Sequence, residues 1–145
     1  MRMSTRNNVK VLAIVEIALA SLGILTNLFL GIFLTLISTT TFGNLVWKVL
    51  GIYPKGYFSV SLVLSLVLSI MGLFLGTRLL KFKARKGMII FGIVAMGYSF
   101  LQVLFQLIIT GTQAVFSMFS VAVNIAFYAF VIWYLQKSEV RKLFR

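Results

Sequence analysis

Residues 87–136 read GMIIFGIVAMGYSFLQVLFQLIITGTQAVFSMFSVAVNIAFYAFVIWYLQ and contain no charged side chain. A helix crosses a hydrocarbon layer ~30 Å thick with about 20 residues. This stretch of 50 residues is therefore too long for one crossing and long enough for two. The polar segment TGTQ at 110–113 lies near its middle. We therefore predict a tight transmembrane hairpin with helices over about 87–109 and 114–135.

Two further apolar runs precede this stretch, at 11–37 and 57–80. In lipid the backbone has to satisfy its own hydrogen bonds, which leaves helices or closed barrels as spanning structures. Barrel strands alternate apolar and polar residues, and these runs do not. The sequence thus predicts an all-α integral membrane protein, a four-helix transmembrane bundle in which residues 1–145 form a single transmembrane domain.

The segments between the runs are short and carry almost all of the charge. We expect residues 1–10 to form a polar arm and the tail, Lys137–Arg145, to continue the fourth helix into the headgroup region. Within the outer loop, 38–56, apolar residues recur at helical spacing. This pattern predicts a short helix lying on the outer membrane surface, with an irregular loop as the alternative.

Basic residues are distributed unevenly between the two predicted sides, and the chain carries a net charge of +12. One side holds twelve of the fourteen: Arg2, Arg6, Lys10, Arg78, Lys81, Lys83, Arg85, Lys86, Lys137, Arg141, Lys142 and Arg145. The other side holds only Lys48 and Lys55. The positive-inside rule then predicts that both termini are cytoplasmic, most simply in the cell membrane. Because the basic residues sit at the ends of spans, we expect them to bind anionic lipid headgroups rather than nucleic acid.

The composition excludes most catalytic chemistry. The chain has no cysteine and no histidine, and its only acidic residues are Glu16 and Glu139. Thiolate nucleophiles, the usual neutral-pH base and the usual metal ligands are thereby missing. We expect no catalytic, cofactor or metal site, and hence no enzyme.

Each predicted helix carries a stripe of small and polar residues. Close backbone approach drives helix association in membranes, so we expect these stripes to be packing surfaces. The candidate packing residues are Ser61, Ser65, Ser69, Gly72, Gly76 and Gly92. The pair Gly72-x-x-x-Gly76 lies on the same arc as the serines, which favours packing within one chain over dimerisation.

Polar residues inside the predicted spans form the candidate functional site, because placing a polar group in the membrane interior costs free energy. They are Glu16, Asn27, Gln102, Gln106, Asn124 and Tyr128. Glu16 lies about 9 Å along its helix from Lys10 at 1.5 Å per residue. We expect it to face the interior near Tyr128, with Arg78 or Lys81 as a charged partner. The amides either bridge helices or line a pathway.

Two functions are consistent with this pattern. The first is a non-enzymatic accessory subunit or helical scaffold that packs against other membrane protein subunits or against itself. The alternative is a small oligomeric transporter or channel in which Glu16 and the buried amides line the route.

Overall fold

The computed structural model describes residues 2–38, 55–110 and 115–144, and all regular structure within these ranges is helical. Four long helices follow one another: α1 (Arg2–Ser38), α2 (Lys55–Leu80), α3 (Arg85–Thr110) and α4 (Val115–Gln136). A short helix, α5 (Ser138–Arg141), and a 3-10 turn (Lys142–Phe144) follow them. The all-α prediction is thus confirmed. The predicted surface helix and the predicted turn at 110–113 fall largely outside the described residues.

Three of the long helices contain stretches that are long and apolar enough to cross a membrane. These stretches are Ser4–Phe33, Val60–Leu80 and Arg85–Phe105, and the described residues of α4 contribute a shorter one, Val121–Gln136. Many large apolar side chains on these helices are exposed, among them Phe29, Val63 and Ile90. Lipid tails are as apolar as leucine, so such exposure carries no penalty in a bilayer. The chain therefore has the helices of a membrane protein.

The long helices associate mainly as two neighbouring pairs. α1 packs along α2, α3 packs along α4, and α2 contacts α3 less extensively. Small residues permit the first pairing, because a Cβ atom at Gly76 would lie 3.4 Å from the backbone oxygen of Ala13. The glycine stripe of α2 therefore packs against α1 of the same chain, as the sequence favours.

The turn between α2 and α3 is closed by two backbone hydrogen bonds. The amide of Phe82 donates to the carbonyl of Leu79 at 2.9 Å, and the amide of Lys83 donates to that of Arg78 at 2.9 Å. This pair of bonds is the Schellman arrangement, in which the residue after the helix takes a left-handed conformation and is usually glycine. Here that residue is Phe82, with a φ of 52°.

Contacts of the Phe82 ring explain why a phenylalanine occupies this position. Its ring centroid lies 6.1 Å from that of Phe144, edge to face. The guanidinium carbon of Arg6 lies 5.0 Å from the same centroid. The turn, the start of α1 and the 3-10 turn thus meet at one end of the bundle. We call this the basic end, defined by residues 2–10, 78–86 and 137–144.

The structure corrects the sequence prediction for two segments of the basic end, residues 2–10 and the tail. Residues 2–10 are not a polar arm, because α1 already begins at Arg2. The tail does not continue the fourth helix either: Lys137 has ψ 139°, and α5 starts after it. Val140 of α5 and Val9 of α1 are both buried in one cluster, so the tail folds back onto the first helix.

Candidate functional site

Glu16 is the centre of the candidate site. Only 1% of the residue is exposed, although it belongs to a helix whose outer face is apolar. The hydroxyl of Tyr128 on α4 donates a hydrogen bond to Oε1 of Glu16 at 3.2 Å. This distance is long for an O–H···O bond, whose usual range is ~2.5–3.0 Å. The other oxygen, Oε2, is buried and makes no hydrogen bond to any described residue.

The expected charged partner of Glu16 is absent from the site, so the prediction of an ion pair is wrong. The guanidinium carbon of Arg78 lies 4.3 Å from the ring centroid of Phe74, which holds it over the aromatic face. Lys81 is exposed in the turn after α2. Cations attract the negative face of an aromatic ring, and this contact replaces the predicted ion pair for Arg78.

Gly72 of α2 provides the room for the Glu16 carboxyl group. A Cβ atom at position 72 would lie 2.8 Å from Oε1 of Glu16 and 3.2 Å from Cζ of Phe91. Contacts below 3.0 Å require one of the two groups to move. Gly92 has a similar role on α3, where an added Cβ would meet Ile132 at 3.2 Å and Tyr128 at 3.5 Å.

Asn27 links α1 to α2 farther from the basic end. Its Nδ2 donates to the carbonyl of Gly23 at 2.7 Å and to Oγ of Ser65 at 3.0 Å. Ser69 donates to the carbonyl of Ser65 at 2.9 Å within α2. Hydrogen bonds of this kind between membrane helices contribute ~0.6–2 kcal/mol. Asn27 therefore acts as a bridge between two helices.

A second polar cluster links α3 to α2. The hydroxyl of Tyr98 donates to the carbonyl of Ser61 at 2.9 Å. Nε2 of Gln102 donates to the hydroxyl of Tyr98 at 3.0 Å and to Oγ of Ser61 at 3.1 Å. The amide of Gln102 thus bridges helices, which was one of the two predicted roles.

A cavity of about 420 Å³ is lined by Glu16 and Tyr128 and by members of the two polar clusters, including Ser65 and Gln102. Small-molecule sites in proteins occupy ~300–1,000 Å³, so the volume suits an organic ligand. Its lining residues come from all four long helices: Glu16, Leu19, Ala20, Gly23, Ser65, Leu68, Ser69, Gly72, Phe91, Ala95, Tyr98, Ser99, Gln102, Val123, Asn124, Phe127 and Tyr128.

The predicted site residues divide into three groups. Glu16, Gln102, Asn124 and Tyr128 line the cavity together, with Asn124 exposed at its edge. Asn27 lies outside the lining and bridges α1 to α2. The side chain of Gln106 is not among those that the structure describes. Among the candidate packing residues, Ser65, Ser69 and Gly72 also line the cavity, whereas Ser61, Gly76 and Gly92 do not.

The site prediction did not include Tyr98, Phe91 or Phe127. Tyr98 lies four residues before Gln102, and residues at this spacing are neighbours on one helix face. That spacing was a usable signal for the Tyr98–Gln102 hydrogen bond. Phe91 and Phe127 gave no such signal, because phenylalanine occurs in all four long helices and is often exposed there, as at Phe29 and Phe74.

The cavity brings together side chains of different chemistry. It combines one buried carboxyl group with hydroxyl, amide and aromatic side chains. Within the described residues, no cluster of three or more His, Cys, Asp or Glu side chains forms a metal site. Comparison with protein-family models, curated proteins and solved structures finds no match to this chain.

Proposed function

We propose that this chain is a non-enzymatic, multi-pass membrane protein that binds a small ligand in its intramembrane cavity and acts as a small transporter. The observation that carries the proposal is Glu16, which lines a cavity of about 420 Å³ and whose buried Oε2 receives no hydrogen bond from the described residues. A buried polar atom left without a hydrogen bond costs ~1–3 kcal/mol, and more when it is charged. A ligand that donates a hydrogen bond to this oxygen would remove this free-energy cost.

The proposal includes a topology. All four long helices cross the membrane, both termini are cytoplasmic, and the protein resides in the cell membrane. The support is the concentration of basic residues at one end of the helices, together with the positive-inside rule. At that end, the protein binds anionic lipid headgroups through residues such as Lys10, Lys83 and Lys142.

Chemical accessibility of the cavity tests the ligand-binding proposal directly. Because the chain lacks cysteine, Ser99→Cys introduces a single thiol into the lining. We expect methyl methanethiosulfonate, a small neutral reagent, to modify this thiol in folded protein held in lipid nanodiscs. The matched control is Ala13→Cys, because Ala13 is fully buried and lies outside the lining. The proposal fails if the thiol at position 99 reacts no faster than the thiol at position 13.

The alternative function is that of an accessory subunit of a larger membrane assembly. Purification from the native membrane in a mild detergent, followed by native mass spectrometry, separates the two functions. A transporter is expected to appear alone or as a homo-oligomer. A stoichiometric complex with other membrane proteins would favour the accessory subunit.

A further inference from the structure

The charge of Glu16 is not balanced by any residue that lines the cavity. Lysine and arginine are absent from the described lining residues. The single hydrogen bond to Glu16 comes from a neutral hydroxyl, that of Tyr128. A charged carboxylate in the membrane interior is costly unless a cation or a set of donors accompanies it. A cation bound in the cavity would supply the positive charge that the lining residues lack.

The other lining groups favour an organic cation over a metal ion. Hard metal ions such as Ca²⁺ require about six to eight oxygen ligands at ~2.3–2.6 Å. Near Glu16 the cavity wall is formed instead by Ala20, Gly72 and Phe91. Among the serine and amide groups of the lining, Ser65 and Gln102 belong to bridges farther along the helices. One carboxylate oxygen in apolar surroundings suits one charged group attached to an apolar body.

Aromatic rings form a large share of the apolar wall. Phe91, Tyr98, Phe127 and Tyr128 all line the cavity. The ring centroid of Tyr128 lies 5.7 Å from that of Phe91 and 5.3 Å from that of Phe127, each edge to face. Ring faces attract organic ammonium groups, and the attraction grows when the site excludes water. The wall thus provides a second contact that selects for positive charge.

The exposed part of the cavity lining lies on α1 and α4. Three of the lining residues are exposed: Leu19 on α1, and Val123 and Asn124 on α4. The contacts of α1 are mainly with α2, and those of α4 are mainly with α3. An opening between α1 and α4, at Leu19 and Val123, would face the lipid tails in a bilayer. A ligand with an apolar body can reach it from the membrane.

We propose that the cavity binds an organic ammonium ion that carries at least one N–H group. The N–H donates to Oε2 of Glu16, and the apolar body lies against Phe91 and Phe127. This inference rests on the ligand-binding function proposed above. It adds the chemical class of the ligand and a lateral entrance between α1 and α4.

Protection of the thiol in the Ser99→Cys variant tests the ligand class. The probes are benzylammonium, benzyltrimethylammonium and benzyl alcohol, which share one ring and differ in charge and in N–H groups. Each is titrated against modification by methyl methanethiosulfonate in nanodiscs. We expect half-protection by benzylammonium at a concentration at least about tenfold lower than by benzyl alcohol, the size of one charge-assisted hydrogen bond. Benzyltrimethylammonium should fall between them, because it keeps the charge and lacks the donor.

Two variants in the Ser99→Cys background locate the effect at the carboxylate. Glu16→Gln should remove the preference for benzylammonium, whereas Glu139→Gln, which changes the other acidic residue of the chain, should preserve it. Circular dichroism and size-exclusion chromatography verify that each variant is folded. If Glu16→Gln does not fold, the comparison of the three probes on the protein with Glu16 intact decides the question.

The outcomes separate this inference from the function on which it rests. Equal protection by benzyl alcohol and benzylammonium would overturn the ammonium class and leave a ligand-binding cavity in place. Stronger protection by benzyltrimethylammonium than by benzylammonium would overturn the N–H contact with Glu16. A thiol at position 99 that does not react in folded protein would overturn the proposed function itself.

Discussion

The hydroxyl of Tyr128 on α4 and Oε1 of Glu16 on α1 lie 3.2 Å apart, and this hydrogen bond joins the first and the last of the long helices. Few other contacts connect α1 directly to α4, since each packs mainly against its neighbour in sequence. A single polar contact thus closes the bundle at the depth of Glu16. Leu19 and Val123, two exposed residues of the cavity lining, lie on the side of this hydrogen bond that is farther from the basic end.

Removal of the phenolic hydroxyl should weaken the bundle. Tyr128→Phe keeps the ring against Phe91 but leaves both Glu16 oxygens without a described partner. We expect the free energy of unfolding to fall by about 1–3 kcal/mol, the cost of an unsatisfied buried group. Reversible unfolding in mixed detergent micelles measures it. Tyr134→Phe, in a half-buried ring near the basic end, is the control and should change stability little. Equal effects of the two changes would contradict a structural role for the Tyr128 hydroxyl.

Replacement of the Glu16 carboxyl group by an amide should preserve the fold. Glu16→Gln keeps the shape of the side chain, and the amide oxygen can still accept the hydrogen bond from Tyr128. We therefore expect the variant to remain folded and to keep its association state by size-exclusion chromatography. In liposomes carrying a pH gradient, any proton-coupled flux of the wild type should disappear, because glutamine does not exchange a proton. Loss of the folded bundle would show that the charge itself is required for packing.

The contact between α1 and α2 predicts that substitutions at two positions of α2 will change the stability of the protein by unequal amounts. Gly72→Leu should destabilise the protein by at least about 1–3 kcal/mol, because the new side chain collides with Glu16 and Phe91 in a closely packed region. Leu64→Ala should have a much smaller effect, since Leu64 is 46% exposed on the outer face. The same unfolding measurement compares them. A silent Gly72→Leu together with a disruptive Leu64→Ala would reverse the assignment of the two faces.

A glycine in the turn before α3 should stabilise the protein. Ala84 has a φ of 62°, a left-handed conformation that costs an L residue ~1–2 kcal/mol. Glycine adopts this conformation without strain. Its larger conformational entropy in the unfolded chain offsets part of the benefit, so we expect Ala84→Gly to raise the free energy of unfolding by about 0.5–1 kcal/mol. Ala95→Gly, inside α3, is the control and should lose a similar amount. Destabilisation by Ala84→Gly would mean that the methyl group makes a contact worth more than the backbone strain.

Labelling of single cysteines tests the topology. Lys83→Cys lies in the turn between α2 and α3, at the basic end. Thr40→Cys lies in the loop predicted on the opposite side. With an impermeant thiol reagent on intact cells, we expect labelling at position 40 and protection at position 83. Permeabilised cells, in which both sites should react, provide the control. The reverse pattern in intact cells would invert the orientation.

The number and limits of the long helices followed closely from hydropathy. The second run, predicted at 57–80, forms a helix over Lys55–Leu80, and the third, predicted at 87–109, forms one over Arg85–Thr110. The prediction fails at the start of α1, because hydropathy marks where a membrane begins and not where a helix begins. Residues 2–10 are mostly polar, but their helix is supported by Val9, which packs in the same cluster as Val140.

Other features had no signal in the sequence. Lys137 interrupts the last helix without a nearby glycine or proline, and Phe82 adopts a backbone conformation that normally favours glycine. Both are held by tertiary contacts, such as the pairing of Phe82 with Phe144. Only one of the predicted neighbours of Glu16 is correct: depth along the helices pointed to Tyr128. Arg78 instead contacts the ring of Phe74, four residues earlier on the same helix, a local contact that the prediction overlooked.

The fold-back of α5 also has a consequence for the order of biosynthesis. A ribosome completes Val9 first and reaches Val140 only after all four long helices have been made. Val140 and Val9 share one buried cluster, so the first turns of α1 stay partly uncovered until translation has passed α5. Closure of the basic end around Val9 therefore needs α5 as well as the long helices. The burial of Val9 distinguishes a chain translated through Val140 from one that stopped at the end of α4.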